Sequence, residues 1–452
     1  MIRSLLNRPV SQAYKNIFTL TTGTVVAQGI TIAISPILTR IYEPSEFGNL
    51  ALFVSLTNVF TIVATGRYNH AIMLPKDKTD AKNLAGLTVS LAFIFSAVLF
   101  LVVLTFSEPL AALFRQPAIK PWLLLLPGAV FLYALFQVLE SYSNREKKYR
   151  EISFARVTQT GFVSSSRLGM GFGGMGTAGM ILSTLLGYVA AVGFLLRKVL
   201  RKEKDFVAVM KREKMKRLAR QHRKFLIYTM PSNLFNNFSL QLPVFLLTSF
   251  FSSAIVGFYS LAHRIITLPM NLIGRSVSQV YYQNAAELRA DSQKLKNFTF
   301  GIYKKLLYVG IVPFSVLGVW GDYLFGFVFG EEWIVAGQFA QYMSLWILFN
   351  FISSPISQLF SVLEIQEKGL AVNGLLFFFR LIPLLIGFAL FQQNAMHVVI
   401  LFSIVTSLFW IGFCFYLLGI AGVSYRKTFV FTFFTIAVVF LPVLAIRLAI
   451  GV

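Results

Sequence analysis

Arg67, Arg264, Arg275 and Arg380 each lie well inside an apolar stretch long enough to cross a bilayer, and Arg156 and Arg167 share a further one. A charge at membrane depth costs at least about 2.5–3.5 kcal/mol, so such a residue faces a protein-lined or watered cavity and takes a partner. Obvious partners are scarce: Glu140 and Asp322 are the only acids close to apolar segments, and both fall near segment ends. The chemistry on offer is anion binding, with a ligand supplying the missing negative charge. Arginine suits that task because its planar fork stays protonated and grips phosphate oxygens two at a time.

Depth sorts these residues. At about 1.5 Å rise per residue, Arg264 and Arg380 fall near mid-membrane, and Arg67, Arg156 and Arg275 fall closer to the cytoplasmic end. Snorkelling to the interface, or bonding the carbonyls of a broken helix, is the alternative for each. Both readings stand for Arg67, Arg156 and Arg275. The structural one is preferred for Arg167, near an outer end, and a cavity role for Arg264 and Arg380. Amides accompany them: Gln28, Asn58, Asn233, Asn236, Asn237, Gln241, Asn271, Gln279, Gln358 and Asn373. Asn237 and Gln241 join the arginines as candidate contacts to a sugar-bearing anion, although amides in apolar helices also glue helices together.

Other chemistries find little support. No HExxH, GxSxG or phosphate-binding glycine loop occurs. The four histidines, His70, His222, His263 and His397, show no ligand spacing, and the single cysteine, Cys414, lies in an apolar run. No metal or cofactor is expected. A membrane glycosyltransferase would need a carboxylate in an early outer loop; Glu43 and Glu46 are available, but the outer loops are short. The chain reads as a transporter rather than an enzyme.

The elements that must position these side chains are membrane-spanning helices. Of 452 residues, 56% are hydrophobic and 13% charged, with mean hydropathy +0.70; a soluble protein carries about 25% charged residues. The net charge of +23 would suggest nucleic acid in a soluble chain, but here it reads as basic cytoplasmic loops, and no nucleic-acid partner is expected. Met1 to Lys15 lacks the apolar core of a cleavable signal peptide. Spans are expected at about 17–38, 48–74, 84–106, 121–141, 152–170 and 174–196, then 225–251, 255–282, 302–328, 336–361, 370–391 and 396–418, with a thirteenth at about 428–449. All are helical, since lipid leaves open strands unsatisfied. GMGFGGMG (169–176) predicts a tight glycine turn between the fifth and sixth. Loop charge sets the orientation. With the N-terminus in the cytoplasm, the inside segments hold Lys76, Lys78, Lys82, Arg145, Lys147, Lys148 and Arg150, the run from Arg197 to Lys224, then Arg289, Lys294, Lys296, Lys304 and Lys305, and finally Arg426 and Lys427. The outer loops hold only Arg40, Arg115 and Lys120, with Arg447 near the far end of the last span.

The chain also repeats itself. ILTRIYEPSEFGNLAL (37–52) aligns with LLTSFFSSAIVGFYSL (246–261), so that Leu38-Thr39 matches Leu247-Thr248, Gly48 matches Gly257 and Leu52 matches Leu261 at one constant offset. Gly66-Arg67 and Gly274-Arg275 follow to within a residue. The expected organisation is all-α: a six-helix half (1–196), a cytoplasmic basic linker read as a solvated amphipathic helix (197–224), a second six-helix half (225–418) and an extra C-terminal helix (419–452). Two halves of six helices each are parallel repeats about an axis along the membrane normal, which predicts a central cavity and alternating access by rocking. Prolines inside the spans, such as Pro36, Pro243, Pro313 and Pro383, suit helices that bend.

LTRIYEPSEFGNLALF (38–53), ATGRYNHAIMLPKDKTDAKNL (64–84), GFYSLAHRIITLPMNLIGRSVSQVYYQNAAE (257–287) and VFGEEWIVAGQFAQYMSLWILFNFISSPISQLF (328–360) together carry a resemblance. The chain resembles the polysaccharide-biosynthesis, O-antigen-type flippases of the multidrug/oligosaccharidyl-lipid/polysaccharide exporter superfamily, over nearly its whole length to about residue 418. The resemblance implies a multi-pass protein of the bacterial cytoplasmic (inner) membrane. It would move a polyprenyl-diphosphate-linked oligosaccharide to the outer leaflet, with polysaccharide polymerase or other glycan assembly proteins as candidate partners. The family brings no strict motif, so Arg264, Arg380, Arg67, Arg275, Arg156, Asn237 and Gln241 rest on the physical argument alone. Two other readings remain open: a cation-coupled drug exporter of the same superfamily, which would want cavity acids, and a non-transporting scaffold for glycan assembly, which would not need mid-depth arginines.

Overall fold

A computed structural model describes residues 12–114, 119–392 and 394–451. Arg115 and the segment before Gln12 lie outside the described residues, as do the side chains of Asn271 and Arg275. Among the described residues every regular element is helical. The chain divides into two compact units, Met1–Tyr42 with Asn49–Phe238, and Glu43–Gly48 with Ser239–Val452.

The first unit is built from α1 (Gln12–Ile41), α2 (Pro44–Thr65), the single turn α3 (Tyr68–Ala71), α4 (Lys78–Leu113), the short α5 (Lys120–Leu123), α6 (Leu126–Arg145), α7 (Tyr149–Phe172), α8 (Gly176–Lys202), α9 (Arg212–Gln221) and the start of α10 (Met230–Phe250). The expected second span is broken. Gly66 and Arg67 both adopt positive φ, 52° and 59°, so α2 stops at Thr65 and the chain restarts at Tyr68. The glycine turn between α7 and α8 is present, with Gly174 and Gly176 at positive φ. It lets the two helices run back against each other, and there Arg167 is a fastener. Its guanidinium donates to Ser183 Oγ at 3.1 Å, Thr184 Oγ1 at 3.0 Å and the Met180 carbonyl at 3.3 Å, while its own carbonyl accepts from the Tyr42 hydroxyl.

The basic linker is less solvated than its composition suggests. α8 runs into it as far as Lys202, its own helix is Arg212–Gln221, and its inner face is packed. Phe206 and Leu218 are buried in one hydrophobic cluster with Val199, Leu139 and Tyr142. Beneath them Lys82, 4% exposed, is gripped by Glu203 and Asp205, each at 2.8 Å. Burial acts to raise the Glu203 carboxyl, but its hydrogen bond and charge interaction with Lys82 outweigh that and hold it below the usual carboxylate range. Arg217 pairs with Asp80 at 2.9 Å, and Asn83 bonds the linker backbone at Val209 and Lys211. The missed signal was the acid pair Glu203 and Asp205 inside a run of cations.

The second unit holds the rest of α10, then α11 (Ser253–Ile266), α12 (Arg275–Glu287), α13 (Ser292–Phe329), α14 (Ile334–Ile356), the short α15 (Leu359–Val362), α16 (Gln366–Leu390), α17 (Ala395–Ile420) and α18 (Tyr425–Ile450). Side-chain caps start three of them: Ser252 accepts from Ile255 N–H, Asp291 from Lys294 N–H and Asn394 from His397 N–H, each satisfying one orphan donor of a helix start. The expected eighth span is split like the second. α11 ends at Ile266, and a π-helical turn over Met270–Gly274 leads into α12. The two splits differ in geometry, since Gly274 keeps a helical φ of −56°. The thirteenth helix is tied to α13 by an ion pair that the sequence reading did not make: Arg447 reaches Asp322 at 2.7 and 3.0 Å, and Gln341 donates to the same carboxylate.

Among the described residues, nine helices are long and apolar enough to cross a membrane. The other four expected spans correspond to α6, α7, α10 and the split α11–α12 segment. They fall short for physical reasons: α6 carries Gln137 and Glu140, α7 carries Arg156 and Arg167, α10 carries four amides, and α11, which holds Arg264, is apolar but only 14 residues long. Helices this polar can sit at membrane depth only where protein or water, not lipid, surrounds their polar faces.

Candidate functional site

In the first unit the broken end of α2 delivers Arg67. A left-handed φ swings the residue out of helical register, and its Nη2 donates to Asn233 Oδ1 at 3.1 Å, with Nη1 3.4 Å from His70 Nε2. Its Nε is buried without a partner. Tyr133, on α6, bonds Gln137 and stands within electrostatic reach of Arg67, Glu140 and Arg156. Asn233 and Asn237 both turn back onto their own helix, donating to the Thr229 and Asn233 carbonyls at 2.8 and 2.9 Å. Their amide oxygens are thereby oriented, and that of Asn233 is used on Arg67.

Arg156 corrects one expectation. It has an acid partner within the chain: Nε donates to Glu140 Oε1 at 2.8 Å, Nη2 donates to the same oxygen, and Nη1 donates to Thr24 Oγ1 at 2.9 Å. The two acids set aside as lying near segment ends, Glu140 and Asp322, are the two that pair with intrahelical arginines. Position along a span did not decide it; the packing of α7 on α6, and of α18 on α13, did.

In the second unit Arg380 and Arg264 lack such compensation. Arg380, on α16, is 8% exposed and donates from Nη1 to a neutral hydroxyl, Ser239 Oγ, at 3.1 Å. Arg264, on α11, is half-buried and makes no side-chain hydrogen bond or ion pair among the described residues. Near Arg380 stands an aromatic ladder that sequence reasoning missed. His263 stacks on Tyr259 at 5.8 Å and on Trp346 at 6.0 Å, and both Tyr259 and His263 lie within electrostatic reach of Arg380. The signal was available: Tyr259 and His263 are one helical turn apart, and His263 precedes Arg264. Tyr259 and Trp346 are buried, so the ladder is core that backs the wall near Arg380. Gln241 is half-buried and already engaged. The side chain of Arg275 is outside the described residues. Among those residues no cluster of His, Cys, Asp or Glu could hold a metal ion.

The helix order and these apolar spans define a class, the all-α multi-pass membrane fold. The chain superposes on lipid II flippase MurJ in its inward closed conformation with a TM-score of 0.69, at 12% identity, over 94% of this chain and 98% of that one. It superposes on a multidrug resistance MATE family transporter of the MOP superfamily, inward-facing, with a TM-score of 0.60, at 18% identity, over 90% and 96%. At these identities the likeness shows the fold. Residues 37–338 match the family described as polysaccharide biosynthesis protein, and the chain belongs to that family. It is 21% identical over 354 residues to the lipopolysaccharide biosynthesis protein WzxC of Escherichia coli (strain K12), covering 75% of this chain and 67% of that protein. The family resemblance carried by 38–53, 64–84 and 257–287 is borne out, and the chain is a multi-pass membrane protein.

Proposed function

We propose that this protein is a flippase of the bacterial inner membrane, N-terminus in the cytoplasm, which carries a polyprenyl-diphosphate-linked oligosaccharide to the outer leaflet by alternating access. The observation that carries this reading is the pair Arg264 and Arg380, neither bonded to a carboxylate among the described residues. Two such groups demand an anion, and a diphosphate supplies enough charge and oxygen acceptors for both forks. The polyprenyl chain would stay in lipid. Arg67, held through Asn233 and His70, would meet the diphosphate as it enters, with Asn237 beside it. Arg275 and Gln241 complete the proposed contacts. Kinship with a protein named for lipopolysaccharide biosynthesis, and a fold shared with one named a lipid II flippase, agree with this substrate class. Export of cationic drugs would instead call for carboxylates where Arg264 and Arg380 stand.

The test is export of lipid-linked glycan in cells lacking the native gene and carrying Arg264→Ala or Arg380→Ala. A charge-assisted hydrogen bond is worth about 1.5–3 kcal/mol, so each variant is expected to lower export by about tenfold or more at unchanged protein level. Arg380→Lys, which keeps the charge but not the fork, should recover only part. Unchanged export in both alanine variants would overturn the assignment.

A further inference from the structure

α18 is the most exposed of the nine apolar helices, with 6% of its most apolar window buried. It is fastened to α13 at two separated points. Near its start, Tyr303 bonds Thr432 and the rings of Phe300, Tyr303 and Tyr308 surround Phe431 at 5.7–6.3 Å. Near its end is the Arg447–Asp322 pair. Beside the first of these, α13 and α18 leave a groove of about 930 Å³, lined among others by Lys304, Tyr308, Lys427, Phe431, Phe434 and Val438.

The mouth of this groove is positive on every count. The ammonium groups of Lys304 and Lys427 both lie over the ring of Phe300, at 5.3 and 5.0 Å from its centroid. Neither has a hydrogen-bond or ion-pair partner among the described residues. Lys427 and Arg426 also occupy the first turn of α18, where there is no acid and where the Ser424 side chain caps no N–H. Cations at a helix N-terminus oppose the helix dipole, at a cost of about 0.3–1 kcal/mol each. Free backbone N–H groups there favour an anion. Away from the mouth the lining turns apolar, and Val430, Phe434 and Val438 are exposed along the lipid-facing side of α18.

We propose that this groove binds an anionic glycerophospholipid of the bilayer. Its phosphate sits between Lys304, Lys427 and the start of α18, and its acyl chains run along Phe431, Phe434 and Val438. The amphiphilic ligand matches the amphiphilic groove. Its source is the bulk leaflet, because an exposed site fills according to ligand concentration and bulk phospholipid is the most abundant anionic amphiphile at that surface. The bound lipid acts as a further fastening for the most exposed of the apolar helices. This site is separate from the proposed passage of the diphosphate and does not depend on that reading.

The experiment uses the full chain purified in a neutral detergent, with melting followed as lipid is added. Dioleoylphosphatidylglycerol is expected to raise Tm, and dioleoylphosphatidylcholine to leave it unchanged. Each lysine near a membrane surface contributes about fivefold to binding an anionic lipid. Lys304→Gln/Lys427→Gln should therefore weaken the apparent affinity by about 30-fold. Val438→Trp, which fills the apolar part and leaves both lysines, should also abolish the shift. These side chains are exposed or half-exposed, so each variant's own melting without lipid is the reference. An equal shift with phosphatidylcholine, an undiminished response of the double variant, or a response to a polyprenyl monophosphate but not to phosphatidylglycerol would overturn the proposal.

Discussion

Gly257→Leu is expected to leave little folded protein in the membrane, and Gly48→Leu to do the same. A Cβ at Gly257 would stand 1.9 Å from the Pro44 carbonyl oxygen, and one at Gly48 would stand 1.7 Å from that of Ser253. Both obstacles are backbone, so no rotamer change relieves them. Even alanine forces the two helix starts apart, and overpacking a well-packed contact costs about 1–3 kcal/mol before larger side chains are considered. Leucine should exceed that range. Fluorescence-detected size exclusion of a tagged protein reads the outcome as loss of the monodisperse peak. Alanine at either position should lower Tm, and the double alanine variant should cost less than the two single changes together, since both push on the same two turns. A Gly257→Leu protein with wild-type yield and melting would show that the close approach is not required.

The geometry of that contact also explains the internal repeat. Pro44 stands to Gly48 as Ser253 stands to Gly257, so each glycine packs on the helix start that precedes its counterpart. Reciprocity of this kind is what a local twofold axis produces. The other matched positions agree in environment. Leu38 and Leu247 are both buried, as are Leu52 and Leu261. Thr39 and Thr248 are also buried, each donating its hydroxyl to a carbonyl of the preceding turn, at 3.1 and 2.6 Å. Within the matched sixteen residues, the two glycines mark the close approach itself, and the leucines and threonines share their burial.

Helix number and type were legible because apolar length is a one-dimensional property; all thirteen expected spans coincide with described helices or with the two split segments. The breaks were less so. Gly66-Arg67 is visible as a repeated dipeptide, but its left-handed φ is not, and its partner Gly274-Arg275 continues a helix. Pairing was the least legible feature. Glu140 and Arg156 are 16 residues apart on successive helices, and Asp322 and Arg447 are 125 apart; which faces meet is decided by packing that periodicity does not encode. The same limit hid the Tyr259–His263–Trp346 ladder, two residues of which share a helix while the third comes from α14. Linker charge was visible, yet Phe206 and Leu218 turn its inner side into core.

Glu140→Ala should be more damaging than Arg156→Gln, and the difference separates two roles that the arginines of this chain could play. Removing the carboxylate leaves a guanidinium, about one-third exposed, with Thr24 as its remaining partner. Breaking a fully buried pair in this way costs about 3–5 kcal/mol; partial exposure brings that to about 2 kcal/mol, enough to lower Tm clearly in detergent. Glu140→Gln/Arg156→Gln should melt closer to wild type than Glu140→Ala does, because neither polar group is then left charged and unpaired. Transport by that double variant decides the function of Arg156. If its charge is spent on Glu140, glycan export should stay within about threefold of wild type, in contrast to the loss expected at Arg264 and Arg380. Export that falls as far in the double variant as in Arg264→Ala, at normal melting, would instead place Arg156 on the substrate and make Glu140 the group that positions it. An unaltered Tm in Glu140→Ala would show that the ion pair contributes nothing to the fold.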